Sequence, residues 1–116
     1  MKRYQIPTER TPWAGTTLPE LIEAGLISAP AELHGRYRGE VYRAVLRPDG
    51  TIEYAGDIYK SPSIAAAHIR LAVMGPREGR PYPPTNGWAF WSMAKDDGER
   101  IPLDNLRQTL YRTRAG

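Results

Sequence analysis

The chain has 116 residues and the composition of a single folded domain. Hydrophobic residues make up 41% and charged residues 25%, which supplies a core and excludes a disordered chain. The formal net charge of +3 permits an anionic partner without requiring one. Cysteine is absent, which excludes disulfide scaffolds, cysteine-ligated metal sites and thiol nucleophiles.

The start of the chain and its hydropathy predict a cytoplasmic protein with no membrane contact. No apolar run approaches the roughly 18 residues of a membrane-spanning helix. The opening MKRYQIPTER lacks the apolar segment that follows the basic residues of a signal peptide. Residues 1–15 are polar and predict an N-terminal arm, and residues 16–116 predict a single domain.

The segment TTLPELIEAGLI predicts a short first helix. Thr17 and Glu20 have the spacing of a capping box, and Gly25 suits a left-handed C-cap. Alternating apolar and polar residues then predict antiparallel strands in LHGRYRG, EVYRAVLR and TIEY, followed by the short pair Ile58–Tyr59. The turn signals are Arg38-Gly39, Pro48-Asp49-Gly50 and Ala55-Gly56-Asp57.

The segment KSPSIAAAHIRLAVMG predicts the clearest helix, capped by Ser61 and ended by Gly75. Its broad apolar face is expected to include Ile64, with Ala66 on the opposite side. A proline-rich loop of about ten residues follows, and its length is typical of functional or mobile loops.

Beyond the loop, NGWAFWSM predicts a strand after an Asn-Gly turn. On a strand, Trp88 and Phe90 share one face and Trp91 the other, so one tryptophan is expected on the less buried face and Phe90 in the core. IPLDNLRQTLYRTRAG predicts a final helix with Arg107 among its basic residues. The predicted fold class is α+β, with a small antiparallel sheet of four to five strands and N-terminal, central and C-terminal helices.

The sequence offers no catalytic constellation. Ser61 and Ser63 lack the G-x-S-x-G context of a nucleophile, and the adjacent Asp96 and Asp97 cannot face one site together. Phosphate-binding glycine motifs are missing, and two histidines are too few for a metal site. We therefore predict a non-enzymatic chain with no catalytic residues, no metal and no cofactor.

Two features favour nucleic-acid binding, and each has a structural alternative. Ser61 at a helix N-terminus, beside Lys60, suits a phosphate group, but the same serine is an ordinary helix cap. An exposed tryptophan next to Asn86 suits base stacking and contact with an adenine edge, but Trp88 and Trp91 also suit a core.

Arginines along the predicted hairpin are a third such feature. They either follow a nucleic-acid backbone or form a solvated sheet face. They are Arg36, Arg38, Arg43 and Arg47.

From Leu18 to about Leu110 the chain resembles the RAMA domain, the "restriction enzyme adenine methylase associated" module, also described as a restriction-system modified-DNA reader. The pieces that carry the resemblance occur in family order: LPELIEAGLI, LHGRYRGEVYRAVLRPDGTI, IYKSPSIAAAHI, NGWAFWSM and LDNLR. The chain departs from the family pattern in its longer, proline-rich loop at residues 75–85.

The resemblance implies a DNA-binding module that reads N6-methyladenine or clamps DNA in a restriction or methylation system. The family's DNA contacts, carried over to this chain, fall on Ser61, Asn86 and Trp88, with Lys60 and Ser63 as neighbours. DNA is then one partner, and a protein supplying nuclease or methyltransferase activity is the other. The alternative is an adaptor that docks onto such an enzyme without touching DNA.

Overall fold

The computed structural model of the chain describes residues 12–75, 85–95 and 97–115. In chain order the elements are α1 Leu18–Glu23, β1 Ala31–Tyr37, β2 Glu40–Leu46, β3 Ile52–Tyr54, β4 Asp57–Tyr59, α2 Pro62–Met74, α3 Gly87–Phe90, β5 Trp91–Ala94, β6 Arg100–Pro102 and α4 Leu103–Ala115. The strands form one antiparallel sheet in the order β4-β3-β2-β1-β5-β6. This confirms the α+β class.

Local sequence signals place the first half of the fold as predicted. The Thr17 side chain accepts a hydrogen bond from the Glu20 amide, and the Glu20 carboxylate accepts one from the Thr17 amide at 2.8 Å. That bond, with Arg114 nearby, holds the pKa of Glu20 below its usual value. In the β1–β2 turn, Arg38 and Gly39 both have positive φ, as the twist of a two-residue hairpin requires.

The core lies on one face of the sheet, beneath the helices. Its largest strand residues, all fully buried, are Leu33, Leu46, Ile52 and Trp91. Helix α2 contacts β3 and β4, while α4 contacts β5 and β6. The opposite face carries arginine and glutamate side chains together with Val41, Val45 and Ile58, which are all exposed. No helix among the described residues is long and apolar enough to span a membrane.

The predicted buried face of α2 is wrong, because the observed one is rotated around the helix axis by about the angle between two successive residues. Ala66 is fully buried although it was expected to face outward, and Ile64 is half exposed. The buried stripe instead runs through Pro62, Ala65 and Ile69 beside Ala66. Ala65 and Ala66 belong to the core cluster with Ile69, so small alanine side chains occupy the buried face of α2 despite their low hydrophobicity.

The prediction of one strand over NGWAFWSM is wrong in its first half. Asn86 caps the short helix α3, and β5 begins only at Trp91. The helical turn removes the expected alternation, so Trp91 is the fully buried tryptophan. Trp88 is half-buried. Phe90, expected in the core, is also half-buried and packs edge-on against Trp91, with 4.8 Å between ring centroids.

The final helix begins later than predicted because its first residues form a strand. Residues Arg100–Pro102 pair with β5 as β6, and α4 starts at Leu103. This edge strand raises the strand count to six, above the expected four to five.

A close backbone contact joins the start of α2 to α3. A Cβ atom on Gly87 would overlap with the backbone of Pro62 and Ser63. The Gly87 amide donates to Ser63 Oγ at 2.9 Å, and the Trp91 indole donates to the Pro62 carbonyl oxygen at 3.1 Å. The SPS and NGW segments therefore form one packed unit, which requires glycine at position 87.

Gly87→Ala is expected to destabilise the domain strongly. The added methyl group meets rigid backbone, and overpacking of this kind costs about 1–3 kcal/mol or more. Urea denaturation followed by circular dichroism measures the loss. Gly15→Ala is the matched control, because a Cβ there has no atom within 4 Å. Equal stability of the two variants would contradict the close contact.

Candidate nucleic-acid interface

A cleft of about 240 Å³ lies where the N-terminal ends of α1 and α2 meet. Its walls come from residues 14–19, from Gly50 in the β2–β3 turn, from the start of α2 and from Trp88. Lys60, Ser61 and Trp88 all line it, so the fold brings three of the predicted site residues to one space. A charged amine, a hydroxyl and an aromatic ring thus border the same cleft.

Ser61 is the helix cap that the sequence allowed. Its Oγ accepts hydrogen bonds from the Ser63 amide at 3.1 Å and the Ile64 amide at 3.3 Å. The hydroxyl proton takes no part in these two bonds and can be donated to an anion. Lys60 is exposed, and no carboxylate of the described residues lies within 4.0 Å of its amine. Capping and phosphate contact are therefore compatible at this helix end.

Asn86 and Ser63 order the neighbouring turn. Asn86 Oδ1 accepts from the Trp88 amide at 3.1 Å and from the Ala89 amide at 3.3 Å. Those two bonds use both lone pairs of the oxygen, so a bidentate contact with adenine requires Asn86 to leave its cap. The side-chain NH₂ is the group that this exposed residue offers to a base. Ser63 Oγ accepts a hydrogen bond from the Gly87 amide, and this bond places Ser63 beside the residue that follows Asn86.

Arg107 covers one face of Trp88, with its guanidinium carbon 4.0 Å from the ring centroid. Two bonds to Asp104 Oδ1, at 2.6 and 3.1 Å, and one to the Ala14 carbonyl oxygen, at 2.9 Å, hold the guanidinium in place. The cation–π contact fixes the indole. That face of Trp88 is therefore closed to a base.

Sequence reasoning noted Arg107 only as one of the basic residues of the final helix and gave it no role in the site. Arg107 is only 8% exposed. The signal was present, since the residue stands on the same helical stripe as three buried leucines and follows Asp104 by three positions. The leucines are Leu103, Leu106 and Leu110.

Arg38 lies beside Tyr37, the last residue of β1, at 5.4 Å from its ring centroid. Arg70 of α2 lies 5.6 Å from the same centroid and donates to Thr85 Oγ1, next to Asn86. Burial raises the pKa of Tyr37, but hydrogen bonds from Arg70 and Arg38 and their charges outweigh it, so the pKa is lowered overall.

Arg36 is separated from the other predicted site residues. It lies on the uncovered sheet face and lines a different cavity, of about 350 Å³, with His34, Ser92 and Arg100. The structure thus groups Lys60, Ser61, Ser63, Asn86 and Trp88, connects Arg38 to them through Tyr37 and Arg70, and leaves Arg36 apart. The Gly75–Thr85 loop lies mostly outside the described residues.

Arg107→Met is expected to lower the free energy of unfolding by about 1–3 kcal/mol, because the Ala14 carbonyl and Asp104 lose their charged donor. It should also shift the indole N–H signal of Trp88 in a ¹H–¹⁵N spectrum. Arg112→Met, an exposed position on the same helix, is the control. An unshifted Trp88 signal in a folded Arg107→Met variant would contradict the stacking contact.

Comparison with known families gives a match over nearly the whole chain. The family model described as "Restriction Enzyme Adenine Methylase Associated" covers residues 2–116, including the segment ahead of Leu18. A comparison with curated proteins finds no match. The description associates the family with restriction enzymes and adenine methylases. The chain belongs to the RAMA family.

Proposed function

We propose that this chain is a non-catalytic DNA-binding module that works beside a restriction or methylation enzyme. The observation that carries the proposal is the convergence of Lys60, Ser61 and Trp88 on one cleft. A nucleotide needs an anion contact for its phosphate and a flat apolar surface for its base, and this cleft offers both. The family's association with adenine methylases and restriction enzymes supports DNA as the partner.

Each side chain of the cleft has a separate role in this proposal. Ser61 donates its hydroxyl proton to a phosphate oxygen, and Lys60 supplies the charge. A base stacks on the Trp88 ring from the cleft, on the face away from Arg107, and the NH₂ group of Asn86 contacts its edge. Ser63 supports the site by fixing the Gly87 amide.

A preference for N6-methyladenine would come from the apolar part of the cleft wall. Leu18, Pro19 and Pro62 line the same space as Trp88 and offer a surface to a methyl group. Burying one methyl is worth about 0.8 kcal/mol, or roughly fourfold in affinity. A larger preference requires a clash or a lost hydrogen bond with the unmethylated base. We therefore expect a modest preference for methylated DNA.

Ser61→Asp separates phosphate binding from helix capping. Aspartate caps a helix as well as serine does, so stability should be retained. Its carboxylate repels phosphate, and affinity should fall by about 1–2 kcal/mol, or roughly 5- to 30-fold. Fluorescence anisotropy with unmodified, N6-methyladenine and single-stranded probes measures this at two salt concentrations. Ser28→Asp, an exposed position outside the cleft, is the charge-matched control. Equal affinities of the two variants would remove Ser61 from the interface.

Trp88→Ala should weaken DNA binding by about 1–3 kcal/mol if the ring stacks on a base. The same titration gives the affinity, and urea denaturation must accompany it because the residue is half-buried. A folded variant with unchanged affinity would exclude stacking. A variant that no longer folds would make Trp88 a core residue and remove it from the proposed site.

The exposed sheet face favours a second candidate function, that of a protein-docking adaptor. Val41, Val45 and Ile58 present aliphatic side chains there. DNA binding must weaken steeply as salt rises, whereas apolar docking need not. Absence of binding to every DNA probe at low salt would favour the adaptor function over DNA binding.

A further inference from the structure

Two guanidinium groups converge on the phenol of Tyr37. The Arg38 and Arg70 guanidinium carbons lie 5.4 and 5.6 Å from the ring centroid. Against the effect of burial, both guanidinium groups lower the pKa of that phenol. Arg38 is exposed in the β1–β2 turn, and no carboxylate of the described residues lies within 4.0 Å of it. Two positively charged groups thus border the same ring.

A continuous path joins this cluster to the cleft. Ser63 and Arg70 are seven residues apart on α2, so they lie on the same side of the helix. Ser63 Oγ accepts a hydrogen bond from the Gly87 amide, and the Arg70 guanidinium donates one to Thr85 Oγ1. Residues 85–87 therefore run along this side of α2, with the cleft at one end and the Tyr37 cluster at the other.

We propose that Tyr37, Arg38 and Arg70 form a second phosphate-binding site, and that a DNA strand held at Lys60 and Ser61 continues past Asn86 to reach it. This inference rests on the proposed function. Guanidinium groups match the oxygens of a phosphate in geometry, and the phenol supplies one further donor.

The spacing of the two sites fits a short stretch of one strand. Ser61 and Arg70 are nine residues apart, which corresponds to roughly 14 Å along a helix. A strand rises about 3.4 Å per nucleotide along the axis of B-form DNA and also winds around that axis, so the two sites are at most about four nucleotides apart. Contacts of this kind set the position of the strand and do not read its sequence.

The test compares Arg38→Gln with Arg43→Gln in the full chain. Both variants lose one positive charge, but Arg43 lies on the opposite sheet face, paired with His34. The salt dependence of binding is measured by anisotropy with a labelled twelve-nucleotide single strand and the matching duplex. We expect Arg38→Gln to weaken binding and to reduce the slope of log K against log salt by about 0.7–0.9, the value for one lost phosphate contact. Arg43→Gln should bind like the unmodified chain.

Tyr37→Phe is the second variant, because it keeps the ring and removes only the phenol donor. We expect a weaker loss of affinity with an unchanged salt slope. Identical affinity and slope in Arg38→Gln and Arg43→Gln, with a chain that still binds DNA, would overturn the second site and leave the proposed function intact. Absence of binding by the unmodified chain at low salt would overturn both.

Discussion

The part of this domain that carries the candidate interface depends on the contact between Gly87 and the backbone of Pro62 and Ser63. Only a residue without a side chain lets the first turn of α3 approach the first turn of α2 this closely. The buried Trp91 indole reinforces the contact by donating to the Pro62 carbonyl oxygen. Because Trp91 also fills the core beneath the sheet, the two short motifs are fixed both to each other and to the rest of the fold.

Most residues of the candidate interface both stabilise the backbone around this contact and keep a polar group for a ligand. Ser61 and Asn86 each accept hydrogen bonds from two backbone amides, and Ser63 accepts one from the Gly87 amide. The hydroxyl protons of Ser61 and Ser63 and the amide NH₂ of Asn86 take no part in these bonds. These side chains are therefore ordered in the unbound protein, and binding does not cost the conformational entropy of ordering them.

Local signals made the first half of the fold predictable. The capping box of Thr17 and Glu20 and the Arg38-Gly39 turn depend on residues within four positions of each other, so the sequence alone specifies them. The NGW turn was mispredicted because it depends on a contact with Pro62, 25 residues away in the chain. An eight-residue window with apolar residues at most positions is compatible with either a strand or a helical turn.

The arginines show the same limit on prediction. Alternation along a strand predicts Arg36 and Arg38 on the same face of the sheet. Arg38 instead lies in the turn after β1 with a positive φ, so the alternation does not extend to it. Arg107 was noted only as a basic residue, whereas the leucines on either side of it indicated a buried position. Rules based on residue type and spacing treat a charged residue as exposed. They do not detect a buried charge whose hydrogen-bond partner is distant in the chain, such as the Ala14 carbonyl oxygen for Arg107.

In the proposed function, the covered face of Trp88 limits the kind of DNA that the domain accepts. A ring open on both faces can slide between two neighbouring bases, whereas a ring backed by a guanidinium can only terminate a stack. The base that meets Trp88 must already be separated from its neighbour on that side. A binding site of this form selects interruptions in base stacking, such as strand ends, extruded bases and opened segments, over an unbroken double helix.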